Sequence, residues 1–373
     1  MVTLDGMSPE PAAHPLVIGH RGASGYRPEH TAAAYRLAFA LGADAVEPDL
    51  VPTRDGVLVL RHENEISGTT DVASRPEFAS RRTTRDVDGR QLTGWFTEDF
   101  TWAELATLRA RERLGAIRQA SASFDGRYPV IRFRDLLELI DRAAQEQRRD
   151  IRLVAEFKHA THFAALGLPI DELFAAELDA AGWGRGDDRL IMESFEPTLL
   201  DQLAARGIRG TRVFLIEGTG APRDLVVAAG VGGSSATVAS YDSFVTAAGL
   251  YALAGRYDGV SVDKARLLGD RRPKVTDAAR ARVASSRPGA AAAAPLVGSE
   301  LVDSAHAAGL ALYTWTLRPE NRFLSAGFRR GTTRSAYGDW LGEFTRIIGM
   351  GVDGIFVDHP DLGVEARRIA AEA

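Results

Sequence analysis

The sequence predicts an α/β fold of the TIM (β/α)8 barrel type, with a subdomain inserted after the second barrel strand. Three observations lead there. Eight short apolar runs are each followed by a helical pattern, as expected when strands and helices alternate around a closed parallel sheet. Polar residues sit at the C-terminal ends of several different runs, where a barrel gathers its chemistry. One polar, arginine-rich stretch is too long for a plain connection in a compact domain.

The runs are Leu16–Gly19, Ala45–Val51, Ile151–Lys158, Arg189–Phe195, Arg212–Glu217, Gly259–Asp263, Leu310–Thr316 and Gly354–Asp358. Helical periodicity falls between them, over His30–Leu41, Phe133–Glu146, Ile170–Ala181 and Trp340–Met350. An open doubly wound sheet is the competing arrangement. It would concentrate its ligand groups at one crevice, and the first turn here, "GHRGASG", lacks the G-x-G-x-x-G register of a dinucleotide site. An extra strand, Val57–His62, precedes the arginine-rich segment, roughly Glu65 to Tyr128, which is expected to lie over the strand ends. Residues 1–15 read as a tail and 16–373 as the barrel domain, with "SSRPGAAAAAPLVG" (about 285–298) a low-complexity linker and Ala326–Asp339 a surface loop.

Composition narrows the function. The chain has 373 residues, 45% hydrophobic and 25% charged, and a formal net charge of -5, so it lacks the polycationic footprint of a nucleic-acid binder. Without cysteine there is no disulfide, thiolate metal site or cysteine nucleophile. The first residues lack the basic and apolar regions of a secretory signal, and no segment is apolar for long enough to span a bilayer. The expectation is a cytoplasmic protein as numbered, an exported mature form being equally compatible. Oligomeric state is not legible.

"DAVEPDLV" places Glu47 and Asp49 two apart on a strand, hence on one face, and "RLVAEFK" does the same with Glu156 and Lys158. If these strands are neighbours, three carboxylates and an ammonium converge. Such a cluster calls for proton uptake or a hard divalent cation, and oxygen donors without cysteine favour Mg2+ or Ca2+ over zinc. The competing reading pairs these carboxylates with some of the many arginines. Lys158 narrows the choice, because only Lys158, Lys264 and Lys274 interrupt a basic set of 45 residues, and a compact point charge suits a phosphoryl oxygen.

Of eight histidines, His14, His306 and His359 have no catalytic context and His30 reads as structural at a helix start, while His159 and His162 follow Lys158 on a loop that a substrate could reach. His20 and His62 each end a β run, "LVIGH" and "VLVLRH", at the mouth of the fold. Two imidazoles flanking a phosphoryl group can exchange acid and base roles near neutral pH; the alternative is a packing or hydrogen-bonding role for each. Arg21, beside His20, asks for an anionic partner.

"HRGASGYRPEHT", "GADAVEPDLVPTRDGVLVLRHE", "AEFK", "MESF", "YTWT" and "GVDGIFVDHPD" resemble the ordered motifs of the glycerophosphodiester phosphodiesterases, particularly the larger bacterial, periplasmic-type members, over about Leu16 to Leu362. The resemblance implies His20 and His62 as the acid/base pair and Arg21 as a phosphate ligand. Glu47, Asp49 and Glu156 would hold one divalent metal, and Lys158 would stabilise the phosphoryl charge. Ser194 and Phe195 match the family's Ser-Phe, and Trp315 its Trp-Thr, all three at the substrate. Two departures stand out. The usual His-Asp is His62–Glu63, and Arg61 puts a charge before it, which is expected to reshape the pocket entrance.

The implied reaction is hydrolysis of a deacylated phospholipid, such as glycerophosphocholine or glycerophosphoethanolamine, to glycerol 3-phosphate and an alcohol. Two alternatives are a phospholipase D-like enzyme of the same superfamily and an inactive barrel serving as a binding or surface protein. The first needs an apolar mouth that "GTTDVASRPEFASRRTTRDVDGR" does not offer, and the second should show losses in the catalytic set, where every position keeps a competent residue.

Overall fold

The computed structural model describes residues 14–231, 238–270 and 294–372. Most of the expected linker at 285–298 and of the expected tail therefore lies outside the described residues. The barrel strands are β1 (Leu16–His20), β2 (Ala45–Glu47) continued by β3 (Asp49–Pro52), β7 (Arg152–Phe157), β8 (Leu190–Ser194), β9 (Thr211–Ile216), β10 (Gly259–Asp263), β11 (Ala311–Leu317) and β12 (Gly354–Val357). All pair in parallel, β1 joins β12, and the β2–β7 pairing closes the ring.

The second strand is split because Pro48 has no N–H to give to the ladder. Its register against β7 is unbroken across the split: Val46 faces Leu153 and Asp49 faces Glu156. Beyond β3, the strand β4 (Leu58–Leu60) folds back antiparallel, Leu50 opposite Leu60.

Alternation along each strand sorts the side chains. Leu153, Ala155 and Phe157 join the large outer core beneath the helices, whereas Val154 belongs to an inner cluster with Ile18, Ala45, Ile191, Val213, Tyr313 and Phe356. That inner cluster fills the barrel below a polar layer. Gly354 is required there, since a Cβ would lie 2.5 Å from the Tyr313 ring. Outside, the helix Phe133–Gln147 buries Phe133, Leu136, Leu137, Ile140 and Ala143, the i, i+3, i+4, i+7 spacing of one face.

Between β4 and that helix lie a hairpin, β5 (Thr83–Val87) with β6 (Arg90–Gly94), and short turns including Trp102–Leu105 and Gln119–Ala122. Val72, Phe78, Trp95, Phe100, Leu105 and Leu108 of this segment belong to the same core cluster as the barrel. The insertion is thus packed on the barrel rather than around a centre of its own. Among the described residues no helix is long and apolar enough to cross a membrane.

Candidate active site

The strand ends open into a cavity of about 800 Å³, a size that suits a small substrate. His20, Arg21, His62, Glu156, Lys158 and Trp315 are in its wall. Strand register brings them together: His20 pairs with Glu47, Asp49 with Glu156, and Glu156 with Glu193.

Glu47, Asp49 and Glu156 each offer an oxygen within 4.8 Å of the others. Glu47 Oε2 accepts the Arg21 backbone N–H at 2.8 Å, while its buried Oε1 has no hydrogen-bond partner in the protein. Asp49 is the most tightly held. Oδ2 lies 2.8 Å from His30 Nε2 and 3.1 Å from Arg21 Nε, and Oδ1 lies 2.8 Å from Lys158 Nζ. Lys158 also bonds Glu156. His30 is fully buried just ahead of its helix and braces Asp49 from behind, its Nδ1 on the Tyr35 hydroxyl at 2.8 Å.

The charges do not balance. Burial, then the Asp49 and Glu156 charges, push Glu47 well above the usual carboxylate range. Burial likewise raises Glu156 to about 8 and Glu193 well above its ordinary value. For Asp49, burial is outweighed by Lys158 and Arg21, and its carboxyl stays well below that range. Among the described residues the cations at these three carboxylates, with Glu193 beside them, are Arg21 and Lys158, and Arg21 is shared with Glu29 at 3.2 Å. The orphaned Glu47 oxygen and the all-oxygen donor set fit a hard divalent cation.

Both cavity histidines have Nδ1 anchored. His20 Nδ1 lies 2.6 Å from Asp358 Oδ1, and His62 Nδ1 lies 2.5 Å from Glu63 Oε1. A carboxylate on Nδ1 fixes the Nδ1–H tautomer and leaves Nε2 as the acceptor toward the cavity. Burial, then the Arg21 charge, lower His20 to about 4 against the pull of Asp358. His62, with 31% of its side chain still exposed, is lowered by burial and by Arg21 and Lys158.

Phe195 and Trp315 form the apolar wall, their rings edge to face at 5.8 Å. Ser194 does not join them. It is fully buried with Oγ accepting the Glu196 N–H at 3.0 Å, because strand alternation turns Glu193 and Phe195 inward and Ser194 away. The expected substrate contact of Ser194 is corrected accordingly. Arg61 is 1% exposed and lies beneath the site, its Nη1 3.5 Å from the Glu29 carbonyl, so it shapes no entrance. His159 and His162 turn to the insertion, to Asp88 and Glu98 at 2.5 and 3.0 Å, instead of to the cavity.

Five further residues escape a reading of the sequence. Glu29, Asp358 and Glu193 stand inside the quoted motifs "PEHT", "VDHPD" and "MESF", so a signal was present. Arg113 and Arg118, in the arginine-rich insertion, had none.

The model of the Glycerophosphoryl diester phosphodiesterase family matches residues 20–362. A glycerophosphodiester phosphodiesterase of Arabidopsis thaliana is 28% identical over 357 residues, covering 94% of this chain and 85% of that protein. One from Haemophilus influenzae is 30% identical over 189 residues, 48% of this chain and 50% of its own length. Among solved structures, a phosphodiesterase of Oleispira antarctica in complex with the product sn-glycerol-3-phosphate superposes with a TM-score of 0.55 at 17% identity, covering 95% of this chain and 96% of that one. At that identity the likeness shows the barrel alone. The family match spans nearly the whole chain and includes every carboxylate and histidine placed at the cavity. The chain belongs to the glycerophosphoryl diester phosphodiesterase family.

Proposed function

We propose that the protein hydrolyses glycerophosphodiesters to glycerol 3-phosphate and an alcohol, with one divalent cation, Ca2+ or Mg2+, held by Glu47, Asp49 and Glu156. One observation carries the reading. Two imidazoles with anchored Nδ1 atoms share a cavity with an undercompensated carboxylate cluster, a guanidinium and an ammonium. The names of the relatives and the product bound to the Oleispira protein support it.

Arg21 and Lys158 meet the phosphodiester anion and keep it against the strand ends. A bound divalent cation would supply Lewis-acid stabilisation of charge developing on the phosphoryl oxygens. One histidine Nε2 takes the proton of the attacking hydroxyl, either that of water, which gives glycerol 3-phosphate directly, or that of the glycerol moiety, which gives a cyclic phosphate that water then opens to glycerol 3-phosphate. The other histidine gives a proton to the departing oxygen: the phosphodiester anion offsets the Arg21 and Lys158 charges that add to burial in lowering the imidazoles, and the carboxylate on Nδ1 stabilises the imidazolium. Phe195 and Trp315 offer an apolar face to the carbon skeleton and exclude water from it.

A panel of glycerophosphodiesters, lysolipids and bis(p-nitrophenyl) phosphate, run with and without chelator, tests this. Glycerol 3-phosphate should appear from the glycerophosphodiesters and stop on chelation. Absence of that product from every diester would overturn the reaction, and undiminished turnover after chelation would overturn the metal.

A further inference from the structure

We infer that the insertion is part of the catalytic apparatus: one turn of it carries two positioning residues, Arg113 and Arg118, each clamping the carboxylate that orients one of the two cavity histidines. The inference rests on the acid/base reading of His20 and His62. It assigns a role to a segment that the barrel fold does not require.

In both contacts an arginine of the insertion meets the carboxylate that sits on a cavity histidine. Arg113 holds both oxygens of Glu63, Nη1 to Oε1 at 2.9 Å and Nη2 to Oε2 at 2.8 Å, and Oε1 is the atom on His62 Nδ1. The other edge of the same guanidinium grips Glu29, with Nε and Nη2 each 2.6 Å from an oxygen, and Glu29 in turn meets Arg21. Arg118 Nη2 lies 2.6 Å from Asp358 Oδ2, the oxygen opposite the one that meets His20. Its Nε donates to Glu320 at 2.6 Å and its Nη1 to the Ser24 carbonyl at 3.2 Å. At Glu63 a planar fork fills both oxygens and fixes the carboxylate in position and in plane, which a flexible ammonium does not, whereas at Asp358 Arg118 takes one oxygen and His20 the other.

Neither arginine is in the cavity wall, so neither touches a substrate there. Each acts through a carboxylate on an imidazole, as outer partners of metal-bound or catalytic histidines generally do. The turn that presents them is itself held. Arg118 N–H donates to the Leu114 carbonyl at 2.8 Å, Glu112 accepts from Leu114 N–H at 2.8 Å and from the Ser121 hydroxyl at 2.6 Å, and Ala110 bonds Tyr128. Acid and base geometry are therefore set by one short piece of backbone, the two arginines standing five positions apart with four residues between them.

The clamps are unequal. Asp358 Oδ2 has a second cation, Arg318 Nε at 2.5 Å, whereas the other ionic partner of Glu63 is His62 itself. Removing Arg113 should cost more than removing Arg118.

The experiment compares Arg113→Ala, Arg113→Lys and Arg118→Ala with wild type in the full chain, with folding checked by circular dichroism. Arg113→Ala should lower kcat by about 10- to 100-fold with little change in KM, as loss of an outer partner does. Arg113→Lys should recover only part, and Arg118→Ala should lose less than Arg113→Ala. Histidine 15N shifts give a readout independent of turnover: the His62 signal should leave the Nδ1–H tautomer in Arg113→Ala and keep it in Arg118→Ala. Wild-type kcat and tautomer in folded Arg113→Ala would overturn the inference, as would a loss confined to KM. If wild type hydrolyses no phosphodiester, the functional reading fails and the tautomer alone decides whether the clamp exists.

Discussion

His359 follows Asp358 at the end of β12, and its replacement should flatten the acid side of the stability curve. Its ring is 1% exposed, with Nε2 2.9 Å from the Tyr337 hydroxyl and its edge toward Tyr26 at 4.7 Å. It packs directly on Gly25, where a Cβ would fall 2.2 Å from the ring, and so props the loop that carries His20 and Arg21. Burial, then the Arg118 charge, push its pKa down to about 4, against the pull of Glu320, Asp358 and Asp361. The folded value lies below the ordinary value of 6.5, so the unfolded chain takes the proton first and stability falls as pH drops from about 6.5 toward 4. At about pH 5 the unfolded chain gains roughly 2 kcal/mol from this proton and the folded chain about 0.1, leaving a loss of about 2 kcal/mol relative to pH 7.5. His20 adds a similar contribution in the same direction. Urea unfolding of wild type and His359→Gln, followed by tryptophan fluorescence at both pH values, separates the single contribution. The variant should start less stable, having lost the aromatic contact, yet lose about 2 kcal/mol less on acidification. Equal losses in the two proteins would refute the reasoning.

Two further predictions concern the cavity. Glu156→Gln keeps shape and removes one charge from the cluster, leaving Glu47 and Asp49, with Glu193 beside them, facing two cations; the thermal stabilisation given by Ca2+ or Mg2+ should then require at least about 10- to 100-fold more cation, with the metal-free protein still folded. An unchanged titration midpoint would exclude Glu156 as a ligand. His20→Ala and His62→Ala should each lower kcat by about 10²- to 10⁴-fold on a glycerophosphodiester. On a p-nitrophenyl ester, whose leaving group needs no proton, the variant lacking the acid should recover much of its rate and the other should not; two wild-type-like variants would refute the pair.

What could be read from the sequence follows the range over which each interaction acts. The eight strands and the Glu47/Asp49 and Glu156/Lys158 pairs rest on period-2 alternation, a local property, and the barrel register then brings Asp49 opposite Glu156. The same alternation, applied to Ser194, would have turned it away from the cavity, so that expectation failed by following a motif over a parity. Arg61 misled for another reason. Charge suggests exposure, but this guanidinium is buried under the loop bearing Glu29, where burial lowers it to about 10. The partners of the histidines lie beyond any local pattern: His20 and Asp358 are 338 residues apart, Arg118 and Asp358 240, and Arg113 and Glu29 84. An arginine-rich segment announces solvated charge, and nothing in its spacing says that two of those charges will reach across the barrel mouth.

The scarcity of lysine points to the cavity twice. Lys158 stands out in sequence because a chain with 45 basic residues has only three lysines. Lys274 lies outside the described residues, and both of the others are in the cavity wall. Lys264, however, is bound to Glu343, itself fully buried on the helix Trp340–Ile348, and burial lowers its pKa where the Asp49 and Glu156 charges raise that of Lys158. The two ammoniums thus have opposite electrostatic settings at one cavity. Lys158 stays charged within the carboxylate cluster, in position to meet a phosphoryl oxygen, whereas Lys264 spends its charge on fixing the helix behind the wall. Rarity of a residue type therefore located the cavity, and only the local charge balance separated the lysine that faces chemistry from the one that holds the frame.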